Sequence, residues 1–279
     1  MQISKKRTDL ALESAENVDI SKELPDGISV SEKKTSAFLV TDVSVNTSEA
    51  AKRIEKPVGR YVTLEPGSRL DMRPDNFEQC AYDLAEEITA LKGEGDRVLV
   101  VGLGNEDITP DSLGPRVCSH IFATRHIREN APQFYSDDLG EVSAIAPGVM
   151  GQTGIEASEL IRSVCGAVKP SLVIAVDALA CSEISHLGRT IQLTDTGISP
   201  GSGVLNSRRE LSRETLGVPC LAIGVPTIAD LGQSDGEPLM VTPRSVDKLI
   251  SCSAQLISTA INLSLHEGLT FDEILSLTS

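Results

Sequence analysis

Three continuous hydrophobic runs constrain the fold of this chain more than any other feature. They read RVLVVGLG at 97–104, SLVIAVDALA at 171–180 and VPCLAIGVPTIAD at 218–230. Runs of this kind suit strands that are covered on both faces, as in a parallel sheet. Amphipathic segments that predict helices lie between and beside them, at 73–93, 114–127, 154–168 and 242–266. This alternation predicts an α/β fold with helices on both faces of a mostly parallel sheet.

The N-terminal part of the chain predicts a small addition to this sheet. Polar and charged residues dominate the start of the chain, and we expect residues 10–35 to form a flexible arm. AFLVTDVSV at 37–45 and VGRYVTLE at 58–65 then predict two strands. We therefore expect a three-layer α/β/α sandwich with a small additional β element from the N-terminal part.

Charge and cysteine content limit the partners of the protein. The 279 residues include 40 acidic and 25 basic side chains, for a formal net charge of −15, which argues against direct binding to nucleic acid. Six scattered cysteines form no CxxC pair, which is typical of thiols in a reducing cytoplasm. We find neither a signal-peptide core nor an apolar stretch of membrane-spanning length. A cytoplasmic protein without membrane contacts is expected.

Two aspartates stand where a doubly wound sheet binds its ligands, at the carboxyl ends of strands. Asp111 follows the first hydrophobic run through a glycine turn, and Asp177 lies near the end of the second. Two carboxylates held close share a proton, so that one acts as a base on water and the other as an acid. Such a pair can hydrolyse a peptide bond. The alternative is structural: Asp111 caps a helix and Asp177 bonds a loop.

Other kinds of site fit the sequence less well. The G-x-G at 102–104 lacks the third glycine of a dinucleotide site, and Asp107 would repel a pyrophosphate. DTG at 195–197 is the motif of pepsin-like aspartic proteases, but it occurs once and without an all-β pattern, and it predicts a loop. The four histidines have no metal-ligand spacing, and no G-x-S-x-G elbow is present. We expect neither a metal nor another cofactor.

Eight stretches along the chain match one known family in the same order. They are RTDLALE (7–13), GRYVTLE (59–65), GLGNEDITPDSLGP (102–115), APGVMGQTGIEA (146–157), VDALA (176–180), DTGISPGSGVLNSRRELS (195–212), LAIGVPTIAD (221–230) and MVTPRSVDKLI (240–250). In these stretches the chain resembles the germination proteases of endospore-forming bacteria. The resemblance implies an endopeptidase that starts the degradation of small acid-soluble spore proteins, in the cytoplasm of the forespore.

The resemblance also implies the catalytic residues. Germination proteases are similar in fold to the nickel-hydrogenase maturation endopeptidases, and the matching acids are Asp111 in TPDSLGP and Asp177 in VDALA. They correspond to an aspartic-type catalytic pair in the germination proteases and to nickel ligands in the maturation enzymes. A nickel-dependent endopeptidase and a catalytically silent binding module of the same fold are the alternatives.

A self-processing zymogen is a further implication of the resemblance. The family removes a short N-terminal piece from itself, and its substrates are cut after an acidic residue, a glutamate, and before a hydrophobic-Ala-x-Glu sequence. Asp9 followed by LALE at 10–13 has this form. We therefore expect a propeptide at 1–9, cleavage between Asp9 and Leu10, and a single protease domain at 10–279.

The substrate side of the site is expected to come from three further segments. The turn that contains Asn105 would position Asp111, and the loop with Asp195 and Gly197 would flank the substrate. A basic pocket for the acid before the cut is expected from Arg208 and Arg209, with Arg116 as another candidate for that pocket. Arg208 and Arg209 could instead be a solvated pair.

One segment departs from the family. Germination proteases carry a long insert between the GVPT strand and the MVTP helix, and this chain has only the shortened segment 231–239 there. The resemblance implies a homotetramer as the oligomeric state.

Overall fold

One mixed sheet runs through the described part of the chain. The computed structural model describes residues 8–16, 26–93, 95–136, 138–199, 210–234 and 237–278. The strands in these ranges are β1 Ile28–Lys34, β2 Phe38–Val45, β3 Gly59–Pro66, β4 Arg97–Gly102, β5 Glu141–Ile145, β6 Leu172–Cys181, β7 Ile191–Thr194, β8 Cys220–Ser234 and β9 Glu237–Val241. Their order in the sheet is β1-β2-β3-β7-β8-β6-β4-β5, and β9 pairs with β8.

The sheet has a parallel half and an antiparallel half. Strands β5, β4, β6 and β8 pair in parallel, so their carboxyl ends meet at one edge. Strand β7 joins β8 antiparallel, and β3, β2 and β1 continue from it in the same manner. The small β element predicted near the N-terminus is thus an extension of the main sheet.

Helices cover both faces of this sheet, which confirms the predicted α/β/α layering. They are α1 Ala11–Glu16, α2 Ser48–Ile54, α3 Phe77–Lys92, α4 Leu113–Ser119, α5 Arg125–Asn130, α6 Met150–Thr153, α7 Ala157–Val168, α8 Arg213–Leu216, α9 Val246–Leu265 and α10 Phe271–Thr278. On one face, α3, α4 and α9 bury Val98, Val100 and Ile174. On the other face α7 packs on Leu99 and Val101, because alternate residues of a strand point to opposite faces.

The segment 114–127, predicted as one helix, forms two. Helix α4 ends at Ser119 and α5 begins at Arg125. Between them the Phe122 N–H donates to the Asn262 side chain at 3.0 Å, and the Thr124 N–H donates to the Val142 carbonyl at 3.0 Å. These bonds to α9 and β5 take the backbone donors that a continuous helix would use internally, and the helix is interrupted.

The predicted arm at 10–35 contains ordered elements in the structure. Helix α1 begins at Ala11, and β1 pairs with β2 along its whole length. Leu10 and Ala11 are fully buried. The polar composition of the segment did not indicate this order, because the residues that bind the segment are distant in the sequence. Residues 17–25 lie outside the described residues. The shortened segment 231–239 contributes to the β8–β9 hairpin.

Two further properties concern the described ranges as a whole. None of the helices there is long and apolar enough to span a lipid bilayer. The six cysteines have free thiols, and burial raises the pKa of Cys181 and of Cys220 to about 12. These thiols are therefore poor nucleophiles at neutral pH.

Strand β4 and helix α4 meet backbone to backbone. A Cβ atom added to Gly102 would lie 2.1 Å from the Gly114 carbonyl oxygen, and one added to Gly114 would lie 2.3 Å from the Leu103 carbonyl oxygen. Both contacts are shorter than a carbon atom allows. The missing side chains let α4 approach the end of β4, and this approach fixes the turn between them.

We expect Gly102→Ala to lower the free energy of unfolding by roughly 1–3 kcal/mol, because the added methyl group must displace backbone atoms. Gly166→Ala in α7 is the matched control, since no atom lies within 4 Å of its added Cβ. Alanine also has the higher helix propensity, so the control should be neutral or slightly stabilising. Urea unfolding of the two variants measures the difference; equal stabilities would contradict the close-contact argument.

Candidate active site

A cleft of about 310 Å³ lies at the carboxyl ends of the parallel strands. Both predicted acids, Asp111 and Asp177, line it. Gln192 of β7 and Gly224 of β8 line it from the neighbouring strands, and Lys56, two residues beyond the end of α2, closes one side. The topology therefore brings the two candidate carboxylates, which are far apart in sequence, into one site.

The turn after β4 holds Asp111 through its backbone. The Asn105 N–H donates to Asp111 Oδ2 at 2.8 Å, and the Asp111 N–H donates to the Ile108 carbonyl at 2.8 Å. Gly104 has a φ of 115°, and a Cβ there would lie 2.0 Å from the Asp111 carbonyl oxygen. Glycine is thus required at position 104, and this turn fixes the position of Asp111. From β8, the Thr227 hydroxyl donates to the Pro110 carbonyl at 2.7 Å.

The register of the sheet aligns Asp177 of β6 with Gln192 of β7 across the intervening strand β8. Asp177 pairs with Gly224 of β8, and Gly224 pairs with Gln192 of β7. Paired residues of adjacent strands point to the same face, so Asp177 and Gln192 project together, with about 10 Å between their Cα atoms. Gly224 has no side chain, and Leu179 packs over it: a Cβ added to Gly224 would lie 2.5 Å from Leu179 Cγ. Asp177 is 5% exposed, and its Oδ1 accepts a hydrogen bond from the Ala178 N–H at 2.9 Å.

The N-terminal segment lies in this cleft. Thr8 and Asp9 are among the residues that line it. The Asp9 N–H donates to the Ala180 carbonyl at 2.9 Å, and the Ala180 N–H donates to Asp9 Oδ2 at 2.8 Å. Leu10 is fully buried against Leu179 and Cys181 of β6. The segment is therefore held along the strand that carries Asp177.

Two side chains bind the carbonyl group of Asp9. Lys56 Nζ donates to the Asp9 oxygen at 2.9 Å and to the Thr8 oxygen at 3.1 Å. Gln192 Nε2 donates to the same Asp9 oxygen at 3.1 Å, while its Oε1 accepts from the Ala11 N–H at 2.7 Å. Burial lowers the pKa of Lys56, and the carboxylates of Asp9 and other nearby acids partly oppose this shift.

Glu13 is bound in a small polar pocket at the far end of the segment. Its Oε2 accepts from the Ser182 N–H at 2.7 Å and from the Ser182 hydroxyl at 2.6 Å. Its Oε1 accepts from the Glu183 N–H at 3.1 Å and contacts His186 Nδ1 at 2.8 Å. Burial alone would raise the pKa of Glu13, but the hydrogen bonds from His186, Ser182 and Thr8 bring this pKa down to about 2.

The remaining predicted site residues are dispersed. Gly197 lines the cleft with a φ of 89°. Asp195 is exposed outside it and accepts from the Arg60 N–H at 2.8 Å. Arg116 is exposed on α4 and is not part of the cleft lining. Arg208 and Arg209 lie outside the described residues, so their expected role in a basic pocket stays a prediction.

The donors of the cleft do not form a nickel site. Among the residues that the structure describes, no group of three or more His, Cys, Asp or Glu side chains is arranged to hold a metal ion. The two candidate ligands, Asp111 and Asp177, are both carboxylates, and imidazole is a donor that suits nickel. The described donors of the cleft therefore do not fit the ligand set that nickel prefers.

Comparison with known proteins identifies the family. The sequence model of the germination protease family matches residues 5–235. The chain belongs to the germination protease family. Germination proteases of Caldanaerobacter subterraneus subsp. tengcongensis and of Clostridium perfringens are 40% and 35% identical to it, over 96% of this chain and 96% and 97% of theirs. The germination protease of Priestia megaterium is 43% identical over 80% of this chain and 63% of its own length.

Family membership makes the chain a peptidase, a hydrolase of peptide bonds. The alignment with the Caldanaerobacter protein runs over 315 positions, more than the 279 residues of this chain, so the relative contains residues that this chain lacks. A solved NiFe hydrogenase maturation protease from Thermococcus kodakarensis is 17% identical, covers 63% of this chain and 98% of its own, and superposes with a TM-score of 0.34.

Sequence reasoning missed four residues of the site: Lys56, Ser182, His186 and Gln192. Ser182 and His186 lie within the first five residues after the strand that carries Asp177, and this proximity could have identified them as candidates. No such signal exists in the sequence for Lys56 and Gln192, because their roles depend on the pairing of β3, β7 and β8.

Docking of the N-terminal segment should depend on pH through Glu13. Its pKa is about 2 when docked and 4.5 ordinarily, so the carboxylate stabilises docking above 4.5 and loses this effect as the pH falls towards 2. Glu13→Gln should therefore weaken docking at neutral pH, and its difference from wild type should vanish near pH 2.

Fluorescence can measure this effect because the chain contains no tryptophan. A Leu12→Trp substitution places one reporter on the segment, and exposed Glu49 on α2 provides the control variant Glu49→Gln. Equal emission from the Glu13→Gln and Glu49→Gln proteins at pH 7 would contradict the role of Glu13.

Proposed function

We propose that this chain is a self-processing endopeptidase of the aspartic type, which cuts itself between Asp9 and Leu10. One observation carries the proposal: Asp9, on one side of this bond, lines the cleft with Asp111 and Asp177, and Leu10, on the other side, is buried against the strand that carries Asp177. Hydrogen bonds hold the backbone of Asp9, and a hydrophobic pocket encloses Leu10. An uncut segment in this position occupies the site as a first substrate and closes it to others.

The proton transfers of the proposed step take place between water, the two acids and the leaving amine. In the proposed step the ionised member of the pair takes a proton from water, and the oxygen attacks the carbonyl carbon of Asp9. The tetrahedral intermediate then collapses, the bond to the Leu10 nitrogen breaks, and the protonated acid donates to the leaving amine. The products are a new main-chain carboxylate on Asp9 and the free amino group of Leu10. One water molecule is consumed for each peptide bond that is cut.

The same site would act on other proteins once the propeptide has left. The Glu13 pocket, formed by Ser182, His186 and the Glu183 N–H, suits an acidic side chain four residues after the cut. Small acid-soluble spore proteins with an acid, a hydrophobic residue, Ala, any residue and Glu are the substrates we propose. Their degradation at spore germination would take place in the cytoplasm of the forespore or spore core. A homotetramer, as in the family, is part of this proposal.

The experiment that tests the proposal is incubation of the full chain at mildly acidic pH, followed by sequencing of the new N-terminus. We expect cleavage that exposes Leu10. Asp111→Asn and Asp177→Asn should each slow this cleavage by ~10²–10⁴-fold, because each substitution removes one carboxyl group of the acid–base pair. Asp107→Asn is the control, because Asp107 lies exposed in the same turn and bonds Gln152.

The alternatives give different outcomes. Cleavage that needs added nickel, with stoichiometric metal bound through Asp111 and Asp177, would support the maturation-type mechanism. Absence of cleavage in the wild-type chain, and of activity on a spore-protein peptide after trimming to Leu10, would support a silent binding module. Cleavage that survives in both Asp variants would exclude the carboxylate pair.

A further inference from the structure

The carbonyl oxygen of Asp9 accepts two side-chain hydrogen bonds, from Lys56 Nζ at 2.9 Å and from Gln192 Nε2 at 3.1 Å. A carbonyl group of an N-terminal segment does not need both donors to stay docked. The segment already has backbone bonds to Ala180 and the carboxylate contacts of Glu13. Under the function proposed above, this oxygen belongs to the peptide group whose C–N bond is cut.

The place of Gln192 in the sheet orients its amide towards the reacting group. It is 6% exposed and projects from the same face as Asp177, two strands away, with Gly224 between them. The Ala11 N–H donates to Oε1 and thereby fixes which end of the amide is the acceptor. Nε2 consequently faces the Asp9 oxygen, to which it donates at 3.1 Å.

Lys56 is held in place by the backbone around it. Glu55 ends α2 in the left-handed conformation, with a φ of 57°, and the Lys56 N–H donates to the Ala51 carbonyl at 3.1 Å. The Tyr61 hydroxyl donates to the carbonyl of Pro57, the next residue, at 2.8 Å. The ammonium group is therefore directed into the cleft from a fixed backbone.

Charge in the cleft makes this ammonium group important. The acids that line the cleft among the described residues are Asp9, Glu55, Asp111, Asp177 and Glu210. Lys56 is the only cationic side chain in the described part of the lining. Negative charge that develops on the Asp9 oxygen would be repelled by these carboxylates, and a preorganised cation and an amide donor offset this repulsion.

We propose that Lys56 and Gln192 are catalytic residues that stabilise the oxyanion formed at the Asp9 carbonyl group. When water adds to the carbon, the π electrons of the C=O bond move to the oxygen, and both donors shorten their bonds to it. When the bond to the Leu10 nitrogen breaks, the electrons return and the C=O bond re-forms. The water proton moves to the carboxylate pair, so neither Lys56 nor Gln192 changes its protonation state during the cycle.

The test measures single-turnover cleavage of the full chain, and then steady-state cleavage in trans by protein that begins at Leu10. The trans substrate is a synthetic peptide with the sequence of residues 4–17. Lys56→Met should lower kcat about 10²–10³-fold with KM nearly unchanged, as for other lost oxyanion donors. Gln192→Glu keeps the acceptor for the Ala11 N–H but removes the donor to Asp9, and it should lower kcat to a similar extent.

The controls separate this inference from the proposed function. Lys52→Met removes an exposed lysine from α2, the helix that precedes Lys56, and should leave kcat unchanged. Thermal denaturation checks that each variant is folded, and Lys56→Arg should restore part of kcat because it keeps the cation. A loss confined to KM, or wild-type kcat in both the Lys56→Met and Gln192→Glu proteins while Asp111→Asn is inactive, would overturn the oxyanion role alone. Full activity of Asp111→Asn would instead overturn the proposed function.

Discussion

The register between β6, β8 and β7 is the constraint on which the candidate site depends. It aligns Asp177, Gly224 and Gln192 across three strands on one face of the sheet. The middle residue has no side chain and lies under Leu179, and the outer two residues line the same cleft. A shift by one residue in either pairing would turn Asp177 or Gln192 to the opposite, fully packed face. The hydrophobic strands that form the core therefore also determine the geometry of the cleft.

The N-terminal segment derives its order from this cleft. Residues 11–16 form a helix too short to be stable by itself, and half of its residues are polar. Burial of Leu10 and the bonds of Glu13 provide the missing stabilisation. After a cut between Asp9 and Leu10, residues 10–13 remain attached to the enzyme at a high effective concentration, so a protein substrate must displace them. The segment thus links the first cleavage to the access of later substrates.

The layers of the fold and the position of the two acids at strand ends could be predicted from the sequence, because the physical reasons for them are local. Doubly buried strands are visible as continuous hydrophobic runs, and Asp111 and Asp177 stand at their ends. The order of the N-terminal segment could not be predicted, because its partners, such as Ser182 and Gln192, are more than 160 residues away in sequence. Lys56 also escaped prediction, since an isolated lysine after a short helix usually lies in solvent.

In the proposed mechanism the bond between Asp9 and Leu10 lies at the carboxylate pair in a substrate-like arrangement. A crystal structure of the uncut full chain with Asp177→Asn measures this directly. We expect a water molecule held by residue 177 and Asp111, about 3–3.5 Å from the carbonyl carbon of Asp9, with Lys56 and Gln192 hydrogen-bonded to the carbonyl oxygen. A structure in which residues 8–13 lie outside the cleft, or in which the Asp9 carbonyl group points away from the two acids, would contradict it.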